Sequence, residues 1–365
     1  MLEVIFKKMK DKHKLSSLER VRKAMQLQKP DVIPVGTFMG NHAAKIAGVP
    51  LIQYYNDSKK MLEAQIFALD KYNQDIVIMQ SDNYYIAEGF GTKTTHYQNA
   101  TPTFKEPAIK SLKEISKLKI PDPWKDGRMH VYLEAIQMAS EEFGDEIAIR
   151  GCGTGPFSLA SHLIGTQEFI MEIAKAEYDL PDGDESAIFH LMEITTKALE
   201  RFLIAELEAG AHIIQCGDSL ASLDVISPET YKKYVYPYEK KLFNNLKEHT
   251  KKHNAFSLLH ICGDNTKVIN LYAETGADCY EVDYKVDLRL CKQNIGGKMC
   301  LMGNLNPTKV LLQGTVEEVE RAAEECIAAA AENGGFILGS GCEVPMDTPE
   351  ENMKALVKVA RQYQY

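Results

Sequence analysis

The segment Phe256-Ser-Leu-Leu-His260-Ile-Cys262-Gly263 decides how the chain is read. Its first five residues form a short β-type run, and its last four stop the run with an imidazole, a thiol and a glycine. On an extended segment, residues i and i+2 project to the same side, so His260 and Cys262 face one volume. A long helical stretch with apolar residues three and four apart, Pro228–Thr250, precedes the run.

Working outward, the same alternation recurs along the chain. Further β-type runs are expected at Ile33–Thr37, Asp75–Met79, Glu146–Gly151, His212–Cys216, Cys279–Asp283, Lys298–Met302 and Gly335–Gly339. Helical stretches lie between them, among them Lys59–Tyr72, His190–Ala209, Val316–Glu332 and Pro349–Gln362. Strands alternating with helices imply βαβ units and a parallel sheet. Eight such units imply an α/β protein of the (β/α)8 TIM-barrel class. The alternative is an open doubly wound sheet, which would carry a glycine-rich phosphate loop after strand one; Gly36-Thr-Phe-Met-Gly40 is a poor match. Tyr84–Pro107, rich in Tyr, Thr and Gly, is expected as an inserted hairpin. A basic helix at Ser16–Leu27 is expected outside the barrel or in assembly. The domain reading is an N-terminal helical extension over 1–30 and one barrel over 31–365.

Composition narrows the function. The 365 residues are 45% hydrophobic and 25% charged, with a net charge of −9. A chain of this length buries a large core unaided, so a bound metal would serve function and not folding. The acidic balance argues against a nucleic-acid partner. No run of apolar residues reaches membrane-spanning length, and Met1 to Lys14 lacks the features of a signal peptide. The eight cysteines therefore read as reduced thiols of a cytoplasmic protein.

Active groups of a TIM barrel lie at the C-terminal ends of its strands. Those ends carry Asp82, Gly151-Cys-Gly-Thr-Gly-Pro156, Cys216-Gly-Asp218, His260-Ile-Cys262, Asp283, Gly303-Asn304 and Gly339-Ser-Gly-Cys342. His260, Cys262 and Cys342 offer one nitrogen and two sulfurs, a donor set that suits Zn2+ with an open fourth position. The competing reading makes them barrel packing, as it does for Cys279, Cys300 and Cys326. Asp283 is an expected fourth ligand or a support for the ligands; it could also cap a helix near Asp287. Asp82, Asp218 and Asn304 are expected to orient a substrate, against plainer roles in loops and turns. The loop before Pro156 could offer free N–H groups to an anion.

The motifs Arg150-Gly-x4-Pro156-Phe-Ser-Leu-Ala160, Ala209-Gly-Ala-His-Ile-Ile-Gln-Cys-Gly-Asp218, Ile226-Ser-Pro-Glu229, Tyr236-Pro-Tyr238, Gly276-Ala-Asp278 and Thr348-Pro-Glu350 resemble those of the uroporphyrinogen decarboxylase superfamily, from about Leu18 to Val359. The resemblance implies a single TIM barrel. Of its branches, the metal-free tetrapyrrole decarboxylases carry N-terminal arginines that Pro34-Val-Gly-Thr-Phe-Met-Gly40 lacks, and a Gly-His-Gly where this chain has Gly339-Ser-Gly-Cys342. The cobamide-dependent methyltransferase branch carries H-x-C and a distant Cys on zinc, which His260, Cys262 and Cys342 match. That resemblance implies methyl transfer between methylcobalamin, carried by a partner corrinoid protein, and a coenzyme M-like thiol. Tetrahydrofolate as acceptor, or a methoxyarene or methylamine-type methyl donor, remain alternatives.

Overall fold

The computed structural model describes residues 14–80 and 82–365. It contains the strands β1 (Ile76–Met79), β2 (Lys93–Tyr97), β3 (Ala100–Glu106), β4 (Ala148–Thr154), β5 (Ile213–Gly217), β6 (Phe256–His260), β7 (Cys279–Glu281), β8 (Cys300–Leu305) and β9 (Phe336–Ser340). Seven of them form one curled sheet in the order β1-β4-β5-β6-β7-β8-β9, and every pair in it is parallel. Helices such as Ser58–Tyr72, Glu185–Ala209, Tyr236–Lys252 and Val316–Ala330 connect them. Nearly every residue of these strands is buried, as expected of a sheet covered on both faces. A doubly wound sheet would reverse its strand order at a switch point; here spatial order follows chain order.

The first expected strand, Ile33–Thr37, does not form a ladder. It makes one parallel bridge, Val35 to Leu338. Around that bridge the Gly36 N–H donates to Leu338 O and the Leu338 N–H to Pro34 O, both at 2.9 Å. On the other side the Asp75 N–H donates to Val35 O at 2.9 Å. The segment thus links β9 to the start of β1. Pro34 has no N–H to give, which limits the pairing. Gly36 is squeezed between neighbours, since a Cβ there would lie 2.6 Å from Ile76 Cδ1.

Strands β2 and β3 pair antiparallel within the region between β1 and β4. The start of β3 brings Thr101 and Pro102 to the cavity described below.

The helix Ser17–Met25 is started by a capping box between Ser16 and Glu19. Its apolar stripe of Leu18, Val21, Ala24 and Met25 joins Ile76, Ala148, Ile213 and Ile337 in one buried cluster. It therefore closes the end of the sheet where the strands begin. Cys279 and Cys300 belong to the same cluster, which makes them packing residues. The start of the expected N-terminal extension, 1–13, lies outside the described residues.

Asp75 ties this closure together. Its Oδ1 accepts from Ser17 Oγ at 2.7 Å and Arg20 Nη1 at 2.6 Å, and its Oδ2 from the Val35 N–H and Arg361 Nη1, both at 2.7 Å. Burial alone would raise this carboxyl, but Arg361 and Arg20 hold it below the usual aspartate range. Asp75→Asn is expected to lower stability by about 3 kcal/mol, because it leaves Arg361 without its carboxylate and Arg20 with Asp31 alone; urea denaturation measures it. A depressed carboxylate stabilises the fold above its ordinary pKa of 3.8. That contribution is lost as pH falls through the depressed value, so the gap between wild type and variant should close in acid.

Candidate metal centre

Strand β6 ends at His260, and Ile261 and Cys262 follow it directly. Ile261 is fully buried, while the flanking side chains turn together into the mouth of the sheet. Their nitrogen and sulfur are close: His260 Nε2 lies 3.2 Å from Cys262 Sγ. Cys342 arrives from the loop after β9, with its Sγ 3.4 Å from that of Cys262. The three donor atoms all lie within 4.8 Å of one another. Two glycines permit this approach. Gly263 has φ +93° and lies against Ser222. Gly341 lies so near Tyr284 that a Cβ would meet its backbone N at 2.4 Å.

A tetrahedral ion with bonds of about 2.0 Å to nitrogen and 2.3 Å to sulfur separates its donors by roughly 3.5–3.8 Å. The spacings of Cys262 Sγ from His260 Nε2 and from Cys342 Sγ need to open by only a few tenths of an ångström, and the third lies within 4.8 Å, so the residues fit a thiophilic metal. Electrostatics agree. The Cys342 thiol, donating to Cys262 Sγ, and the neighbouring His260 charge hold Cys262 far below the usual thiol range, against its burial. Cys342 is correspondingly raised. Burial pulls the His260 imidazole down, but the Cys262 and Glu281 charges outweigh it and bring it up to about 9. The cluster is thus ready to exchange its protons for a cation.

The second imidazole nitrogen is held from behind. His260 Nδ1 lies 3.1 Å from Glu281 O and 3.2 Å from Glu281 Oε2. The Glu281 carboxylate takes a two-pronged contact from Arg150, Nη1 to Oε1 at 2.8 Å and Nη2 to Oε2 at 2.6 Å. Arg150 Nε also donates to Gln215 Oε1 at 2.9 Å. A carboxylate behind a ligating histidine fixes its orientation and its proton on Nδ1. Sequence reasoning missed this pair. The signal was a full charge inside an apolar strand, in Cys279-Tyr-Glu281 and Ala148-Ile-Arg150, which is sustainable only if it is matched.

The residues singled out from sequence divide into two groups. Asp82 lines the same cavity of about 300 Å³ as His260, Cys262 and Cys342. Its oxygens are already engaged by Arg128 Nη1 and Nη2 at 2.8 and 2.9 Å and by the Tyr132 hydroxyl at 3.1 Å. Asp283 is not one of the three residues whose donor atoms lie within 4.8 Å of one another. It accepts from the Gly263 N–H at 2.9 Å and the Lys285 N–H at 2.8 Å, and so pins the loop that carries Cys262. Asp287, and not Asp283, caps the following helix.

Asp218 and Asn304 are not among the residues lining the cavity. Asp218 is buried and accepts from the Phe157 N–H at 3.0 Å and the Ser158 N–H at 2.7 Å, capping the helix Pro156–Ile164. Desolvation pushes its carboxyl up to about 6. Asn304 donates to Asp283 O and Val286 O at 3.1 and 2.9 Å and braces a turn. Being next to a strand end did not bring these two side chains inward. Conversely Glu343, unremarked in the sequence, lines the cavity beside Cys342; burial pushes its carboxyl up to about 7.

This arrangement sits in a recognisable lineage. Residues 16–363 match the uroporphyrinogen decarboxylase (URO-D) family, and the chain belongs to it. Within that family it is 31% identical over 264 residues, 72% of each chain, to methylcobamide:CoM methyltransferase MtbA of Methanosarcina acetivorans. It is 27% identical over 304 residues, 82% of each chain, to the uroporphyrinogen decarboxylase of Carboxydothermus hydrogenoformans. A methyltransferase structure from Methanosarcina mazei shares the fold with a TM-score of 0.83 at 24% identity, over 96% of this chain and 99% of that one.

Glu281→Gln keeps the shape of the support for His260 but removes its charge. It is expected to weaken binding of an added thiophilic divalent metal by about 10–100-fold, measured by competition with a chromophoric chelator.

Proposed function

We propose that the chain is a zinc-dependent methyltransferase that moves a methyl group between a partner's methylcorrinoid and a heteroatom of a small molecule, a thiol in the first reading. The observation that carries this reading is the meeting of His260, Cys262 and Cys342 at one cavity. The similarity to a methylcobamide:CoM methyltransferase supports it. The decarboxylase relatives keep the metal-free alternative in the family, but such a reaction gives no use for a histidine and two thiols aimed at one point.

His260, Cys262 and Cys342 would hold the zinc, which when bound lowers the pKa of a thiol and fixes its sulfur. The chain's own groups do the positioning. Glu281 keeps the imidazole proton on Nδ1, leaving Nε2 for the metal. Asp283 holds the Gly263 backbone, and with it the Cys262 loop. The substrate sulfur attacks the methyl carbon in line. The S–C bond forms as the Co–C bond breaks, the electron pair stays on cobalt, and the thiol proton leaves to solvent. Run in reverse, the same site would take a methyl group from a methoxyarene or methylamine-type donor. None of the relatives named above points to tetrahydrofolate.

We further read 33–37 as the remaining strand position of a closed barrel and the described part of 1–30, with its helix Ser17–Met25, as a segment appended to that barrel. Among the described residues no helix is long and apolar enough to cross a membrane. All eight cysteines are free, as befits a reducing cytoplasm.

Purified protein supplied with zinc is expected to hold about one ion per chain and to methylate a simple thiol from methylcobalamin. Cys342→Ala should lose the ion and lower turnover at least about 100-fold. Metal analysis and product assay read both, and full turnover by a zinc-free variant would refute the reading.

A further inference from the structure

Two arginines and one helix N-terminus near the mouth that could bind an anion are each matched by a carboxylate of the chain. Arg128 is committed to Asp82 and, through Nε at 2.7 Å, to Glu88. Arg150 is committed to Glu281. The N–H groups that open the helix Pro156–Ile164 would suit a phosphate or sulfonate, but Asp218 occupies them. No lysine or arginine is among the described residues that line the cavity. Its histidine away from the metal centre, His162, is kept neutral by burial, which lowers it to about 4.

What charge and ring surface the described wall presents away from the metal centre is acidic and aromatic, beside neutral polar groups such as Asn83, Gln215 and Ser219. Glu343 accepts the Asn41 N–H at 3.3 Å and lines the cavity together with the rings of Phe38 and Tyr84. An anionic tail brought here would lose water without meeting a positive charge. An ammonium group would meet a carboxylate and aromatic faces.

We propose that the small molecule bound beside His260, Cys262 and Cys342 carries a neutral or ammonium-type tail, not a sulfonate, carboxylate or phosphate, and that Glu343 reads that tail. The proposal rests on the methyl-transfer reading above. It departs from a coenzyme M-like acceptor, whose tail is a sulfonate.

Three thiols of similar size differ only in the tail: thiocholine, 2-mercaptoethanol and 2-mercaptoethanesulfonate. Their affinities for the zinc-loaded protein, normalised to thiolate concentration, are measured by calorimetry, and methyl transfer from methylcobalamin is followed in parallel. Thiocholine and 2-mercaptoethanol are expected to bind at least about tenfold tighter than the sulfonate. Glu343→Gln should bring thiocholine down to the level of 2-mercaptoethanol and leave the latter unchanged. Binding of 2-mercaptoethanesulfonate as tight as the others, or no binding of the other two, overturns the proposal; both are read on the wild type, so they stand even if the variant misfolds. The expected order of binding without methyl transfer to any thiol upholds the tail preference and refutes the methyl-transfer reading alone.

Discussion

Two full charges, Arg150 on β4 and Glu281 on β7, are buried inside the sheet and matched through two contacts of 2.8 and 2.6 Å. Neither could stay there alone, since an unmatched buried charge costs several kcal/mol. The pair spans the interior and holds the carboxylate where His260 Nδ1 needs it. The direction of Nε2, and hence the point where Cys262 and Cys342 converge, follows from that constraint. Hydrophobic burial builds the curled sheet and its cover of helices, but this ion pair aims the His260 imidazole.

The same rule of matched charge separates the two ends of the sheet. At the end where the strands begin, Asp75 gathers Arg20 and Arg361 and fastens the helix Ser17–Met25 to the helix Glu350–Gln362. That end serves stability. At the opposite end, Asp82, Asp218 and Asp283 are also satisfied by the protein, each by a guanidinium or by backbone N–H groups. Among the described residues no lysine or arginine lines the cavity, and Glu343 lines it beside Cys342. Selectivity of this kind depends as much on which charges are consumed as on which are exposed.

Much of this was legible in the chain. The apolar runs at Asp75–Met79, Phe256–His260 and Gly335–Gly339 were found within a residue of their structural bounds, because a strand buried on both faces must be continuously apolar. The run at Ile33–Thr37 looked equally apolar, yet Pro34 deprives it of a donor, and it forms one bridge. Asp218 and Asn304 do not line the cavity, because closeness to a strand end says where the backbone emerges, not where the side chain finds its partner. Asp218 found two N–H groups, and Asn304 two carbonyls.

By itself, the sequence determined the parallel α/β architecture and the H-x-C pair with its distant cysteine, for both follow from local periodicity and from side-chain alternation along one strand. The tertiary structure alone decided that Cys342, 80 residues from Cys262, lies 3.4 Å from it. It also decided that Glu281 backs His260, and that Arg128, Arg150 and the helix at Pro156 are closed to an anion. Those outcomes depend on contacts between residues far apart in the chain, and spacing along a sequence carries no record of which buried charges will meet.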